Sequence, residues 1–207
     1  MDLAGATWPE VAATDRRHVL AVPLGSLEQH GPHLPLDTDT RIALALATRL
    51  AAARPAVAVG PALPYGASGE HAGFPGTLVV AHDVVAALVV ELVRSARASF
   101  AGVVVVSAHG GNGEGLARAE QRCRAEGDAL LVWSAVPGGG DAHAGRTETS
   151  LVLALAPSLV RVGQAAAGET APLARLMATL RHGGVAAVSQ NGVLGDPKGA
   201  SAAEGVA

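Results

Sequence analysis

Four consecutive valines, Val103 to Val106, narrow what this chain can become more than any other feature. Valine is branched at Cβ and stiff at χ1, so an unbroken run of it disfavours a helix and suits a pleated strand. With an apolar side chain at every position the strand has no solvent face. It has to be covered on both sides, as in the middle of a parallel sheet packed between helices. His18 to Leu24 repeats the pattern and stops at Gly25, and Ala56 to Val59 and Ala129 to Ser134 supply two more short runs. Helical spacing falls between them. Ile42, Leu44, Leu46 and Leu50 carry one helix to about Ala53, capped by Asp37, Thr38 or Asp39; Asp83 to Phe100 and about Glu114 to Glu126 form two others; Asp141 to Ser150 opens a fourth that ends near Pro157. This alternation predicts an α/β sandwich with a mostly parallel sheet and all its polar motifs at one edge.

Hydrophobic residues make up 49 % of the 207 but aromatic ones only 2 %, so Ala, Val and Leu must fill a core of closely spaced elements. The length suits a single domain over residues 1–207. Net charge is −3 and the basic residues are scattered, which argues against a nucleic-acid partner. No apolar stretch approaches the roughly 20 residues of a membrane span. Thr7-Trp8-Pro9-Glu10 reads as a capping box rather than part of a secretion signal, so a cytoplasmic location is expected. The one cysteine, Cys123, can form no intrachain disulfide and is expected to be buried as a small apolar residue. Residues 61–76 form a long Gly/Pro loop too polar for the core, Thr77 to Val80 a brief strand, Pro137 to Gly140 a loop and Leu159 to Leu173 a connector. Ser201 to Ala207 begins like a helix and stops within two turns, as in a truncated chain or a frayed tail.

Polar residues concentrate where the strands end. Glu28, His30, His33, Asp37 and Asp39 follow the first strand, His109 follows the valines, and His143 and Glu148 follow the last strand. Carboxylate oxygens combined with imidazole nitrogens suit Zn²⁺, Mn²⁺ or Fe²⁺. A single His or Asp in such a loop is more often a turn or cap residue. Three clusters at three strand ends of one sheet edge instead point to a shared metal centre with open positions for water and substrate. The residues alone leave open whether His30 and Asp39, or His33 and Asp37, are the donors. Gly110-Gly111 lacks the Lys-Ser/Thr of a phosphate loop, and neither Ser68 nor Ser107 lies in a nucleophile elbow. His18, His82 and His182 read as surface or helix-start residues.

Glu28-Gln29-His30-Gly31-Pro32-His33-Leu34-Pro35, Asp39-Thr40, His109-Gly110-Gly111-Asn112 and His143-Ala144-Gly145 with Glu148-Thr149-Ser150 together resemble the creatininase (creatinine amidohydrolase) family over about residues 18–155. The resemblance implies a three-layer α/β/α fold, one or two divalent metals per subunit, hydrolysis of a carbon–nitrogen amide bond and homo-oligomeric assembly. It places Glu28, His30, Asp39 and His109 at metal-ligand positions, with Asp39 as the bridge if two ions bind. Creatinine-hydrolysing members carry a Glu two residues after the His109 position, where this chain has Gly111. Glu148 is then the substitute ligand, and with His143 it forms the catalytic pair, His143 carrying a proton to the leaving amine. Gly111 is expected to leave room beside the metal, and residues 64–71 to wall the substrate side. That segment, with Gly184 to Ser189 and Gly192 to Pro197, is similar to family members that release a modified Val-Tyr-derived C-terminal dipeptide from a modified precursor peptide. The competing expectations are hydrolysis of a small amide or formamide, and a non-catalytic metal-binding scaffold.

Overall fold

The computed structural model describes residues 1–14, 17–135 and 141–206. Four parallel strands form one sheet in the order β2-β1-β3-β4, with β1 at Val19–Leu24, β2 at Val57–Val59, β3 at Gly102–Ser107 and β4 at Leu130–Ser134. The valine run is an inner strand, as its composition requires. Val103 to Val106 are all buried, and Val19 of β1 lies level with Val57 on one side and Gly102 on the other. Pro23 is tolerated in the inner strand β1 because its missing N–H falls beyond the short β2; Leu63 donates instead to the Pro23 carbonyl.

Helices α1 (Trp8–Ala12), α2 (Thr38–Ala53), α3 (His82–Ala96), α4 (Gly113–Glu126), α5 (Arg146–Leu155), α6 (Leu173–Gly183) and α7 (Ala202–Val206) join the strands, with short 3-10 turns between them. Alternate side chains of the strands face two separate apolar layers. Leu20, Val22, Val103 and Val105 pack with Val89 and Val93 of α3 and Leu116, Ala119 and Cys123 of α4, while Ala21, Val104 and Val106 pack with Ala47 of α2. Small residues in both layers let helix and sheet approach closely, which replaces the missing aromatic bulk. The three-layer α/β/α arrangement follows. Among the described residues no helix is long and apolar enough to cross a membrane.

Several local expectations change. Thr77 to Val80 is not a strand and keeps only an isolated bridge between Leu27 and Leu78. Helix α3 ends at Ala96, whose carbonyl accepts from the Ser99 and Phe100 N–H groups in a turn that leads into β3. The loop predicted over Pro137 to Gly140 lies outside the described residues. The last short helix is anchored rather than frayed: Glu204 accepts from the Arg146 guanidinium at 2.9 Å and from Ser150 at 3.2 Å, and Gly205 sits so close to the Ser150 carbonyl that a side chain would overlap it.

The helices decide where chemistry can sit. From β1 the chain turns to α2 on one face, and from β3 it turns to α4 on the other, so the loops after these neighbouring strands diverge. Such a switch point opens a crevice at the carboxyl ends of the strands.

Candidate metal centre

Glu28, His30 and Asp39 reach this crevice from the β1 side, His109 from the end of β3, and His143 and Glu148 from the start of α5; all but Glu148 are buried. Asp39 is the hub. His30 Nε2 lies 3.1 Å from Asp39 Oδ1 and 3.9 Å from Glu148 Oε2. His109 Nδ1 lies 3.3 Å from Asp39 Oδ2, and its Nε2 is 3.2 Å from Glu28 Oε2. Ser26 donates to Asp39 Oδ2 at 2.6 Å and fixes the carboxylate between the two imidazoles.

His33 and Asp37, the rival donors, are used elsewhere. His33 Nε2 meets the Thr149 hydroxyl at 2.9 Å, and Asp37 precedes α2 and accepts from Arg41 at 2.7 Å. The long loop, read as too polar for the core, in fact buries Ser68 and His71 and sends His71 Nε2 to within 3.2 Å of Glu28 Oε1. Its polarity belongs to the site, not to solvent. Asn112 ties these pieces together by donating to the Gly25 carbonyl at 3.0 Å and accepting from the Ala67 N–H at 2.9 Å.

Gln29 orders the histidines. Its Oε1 accepts from the Gly31 N–H at 2.8 Å and its amide nitrogen donates to the Gly192 carbonyl at 3.0 Å, which fixes the amide's orientation. The second amide hydrogen then goes to His71 Nδ1 at 2.8 Å, so that nitrogen is unprotonated. Gly192 has φ +79°, and a side chain there would overlap the Gln29 amide. His143 Nε2 donates to the Gln29 carbonyl at 2.7 Å, leaving the Nδ1 lone pair on the side of Glu28 Oε1, 3.8 Å away. His30 Nδ1 likewise donates to the Glu28 carbonyl at 3.1 Å and frees Nε2 toward Asp39. Imidazoles with one nitrogen held by a carbonyl and the other bare are oriented as metal ligands are.

The donors fit a divalent cation. Both Glu28 carboxylate oxygens are fully buried and form no well-aligned hydrogen bond among the described residues, though imidazole nitrogens of His71 and His109 lie 3.2 Å away, an expensive arrangement unless a positive charge sits against them. One ligand atom each from Glu28, Asp39 and His109 lies within 4.8 Å of the others; the same holds for His30, His143 and Glu148, and for Glu28, His71 and His143. Protons answer to the same field. Burial pushes Glu28 up to about 7. His30 is raised to about 10 despite its burial, because Asp39, Glu148 and Glu28 face it. Burial, together with nearby His30, drives His71 down to about 3 and His143 well below the ordinary imidazole range, so both stay neutral at pH 7.

Two backbone features serve this geometry. Ala144 has φ +52°, a left-handed conformation costing a non-glycine residue about 1–2 kcal/mol, and from it the N–H donates to Glu148 Oε2 at 2.6 Å. Gly111 corrects an expectation: no room is left beside it. A Cβ there would overlap the Ala67 carbonyl oxygen and crowd His109 and the Glu70 carboxylate. The 64–71 loop fills the space, with Glu70 Oε1 3.7 Å from His109 Nε2. Gly111→Ala is therefore expected to cost about 1–3 kcal/mol of stability by overpacking, read as a lowered thermal midpoint; an unchanged midpoint would mean that the loop yields.

Comparison with known proteins identifies the family. The family model described as creatinine amidohydrolase matches residues 4–207. A mycofactocin precursor peptide peptidase of Mycolicibacterium smegmatis is 53 % identical over 90 % of this chain and 78 % of its own length. Its counterpart from Mycobacterium ulcerans is 48 % identical over 97 % and 80 %. Among solved structures, a putative creatinine amidohydrolase from Bacteroides fragilis superposes with a TM-score of 0.81 at 26 % identity, covering 100 % of this chain and 89 % of that one. A manganese creatininase and a zinc–zinc creatininase variant each superpose with a TM-score of 0.75 at 27 % identity, covering 99 % of this chain and 91 % and 90 % of theirs. With a family model that spans residues 4–207 and relatives about half identical over nine-tenths or more of its length, the chain belongs to the creatininase family.

Proposed function

We propose that this chain is a metal-dependent amide hydrolase that releases the modified Val-Tyr-derived C-terminal dipeptide from the mycofactocin precursor peptide. The observation that carries the hydrolase reading is the Asp39 carboxylate, whose two oxygens face two imidazoles from different loops. Glu28, Asp39 and His109 would hold one cation, and His30, Asp39 and Glu148 a second, with Asp39 shared. Manganese and zinc in the related solved structures support a divalent ion without selecting one. A cation so held supplies Lewis acidity toward an amide carbonyl and brings the pKa of water near neutrality.

The remaining steps fall to this chain's side chains. His143 is neutral and oriented by the Gln29 carbonyl, so its bare Nδ1 can take a proton from attacking water and return it to the leaving amine. The Ala144 N–H holds Glu148 in register beside it. Names and identities of the mycobacterial relatives support the peptide substrate. The proposal includes homo-oligomeric assembly in the cytoplasm, and an apolar groove of Leu46, Leu50, Val104, Val106, Leu131 and Trp133 beside the outer strand β4 supports a subunit contact.

Metal analysis of the purified protein, with incubation of the modified precursor peptide and mass spectrometry, tests the reading. Release of the terminal fragment with negligible creatinine turnover at equal concentration is expected. Comparable creatinine turnover would favour a small-amide hydrolase, and full metal content with no hydrolysis a scaffold.

A further inference from the structure

The cavity over the metal centre has two unlike walls. One presents Asp39, His71, His109, His143 and Glu148; the other is the side of α6 that carries Leu173, Met177 and Leu180, with Arg181 of the same helix also lining the cavity, and the volume between them is about 420 Å³. Spacings of four and three residues put these three side chains on one helical face. Helix α6 buries none of its residues and rests chiefly on two single turns, Gly69–His71 and Val185–Ala187. Leu173 is 45 % exposed, so the protein's own core does not consume this face.

We propose that the apolar face of α6 is the specificity wall of the site, receiving a bulky apolar side chain that flanks the scissile amide. The inference rests on the amide-hydrolase reading and names the substrate class within it: peptides with an aromatic or large aliphatic group beside the cleaved bond. Continuity selects this occupant. The apolar face and the carboxylate–imidazole cluster line one cavity, so a molecule that fills it offers a polar carbonyl to one wall and an apolar group to the other. The volume suits a dipeptide-sized ligand and exceeds what a compact polar ring would occupy.

The test uses the metal-loaded full chain with phenylalanine hydroxamate and glycine hydroxamate, which share a chelating head and differ in the side chain. Wild-type protein is expected to prefer the phenylalanine compound by about 10–100-fold, the range for filling or emptying an apolar pocket. Met177→Asp should bring the preference to within about threefold while glycine hydroxamate affinity, bound metal and thermal midpoint hold. Thr179→Asp, on the exposed side of the same helix, should change nothing. A preference absent from wild type, or surviving in Met177→Asp, overturns the proposal. Amide exchange gives a readout independent of metal and turnover: saturating modified precursor peptide should slow exchange within 173–183, and unslowed exchange there counts against the wall. Failure of hydrolysis with these binding results intact would remove the hydrolase reading and leave α6 as a binding surface.

Discussion

Replacing Asp39 by alanine is expected to strip the protein of bound metal and to lower peptide hydrolysis by about 10³-fold or more. Loss of a partner that merely orients a ligand already costs about 10–100-fold in affinity or activity, and Asp39 stands between His30 and His109 with both oxygens engaged. Elemental analysis after dialysis gives the first readout, and the kinetic constants of the remetallated variant give the second. Metal content equal to wild type would refute the bridging role.

His143→Ala should separate binding from chemistry. Metal content is expected to stay near normal while turnover falls about 10²–10⁴-fold, the range for loss of a positioned acid–base group. The reason is the fixed tautomer: the Nε2–H is committed to the Gln29 carbonyl, so only Nδ1 is available, and it lies 3.8 Å from Glu28. The same geometry brings Nδ1 close enough for ligation, alongside His30 and Glu148 or Glu28 and His71. Loss of metal in step with activity would therefore reassign His143 as a ligand.

How much of this was readable beforehand depends on the kind of signal each residue carries. Valine runs gave the inner strands because burial on both faces leaves a direct mark on composition. Glu28, His30, Asp39, His109, His143 and Glu148 were readable as a set because each follows a strand, and parallel strands bring such positions to one edge. His71 and Gln29 were not. The first lies in a Gly/Pro stretch whose polarity looks like that of a solvated loop until the fold closes over it. The second gains its role from Gly192, a partner that no local spacing reveals. Gly111 misled for a related reason, since a missing side chain looks like empty space when the neighbour that fills it is about forty residues upstream.

The Gln29–Gly192 hydrogen bond, spanning 163 residues, also bears on how the molecule is made. Pairing across such a separation carries the loop-closure entropy of most of the chain and slows the search for the native topology. Helices α3 and α4 and their strands are near neighbours in sequence and can form early, whereas the histidine array is locked only when the segment around Gly192 docks against the β1 loop. Refolding should then regain helical signal before it regains the capacity to capture a metal, and any chain interrupted before residue 192 would leave the ribosome with its imidazoles assembled but unaligned.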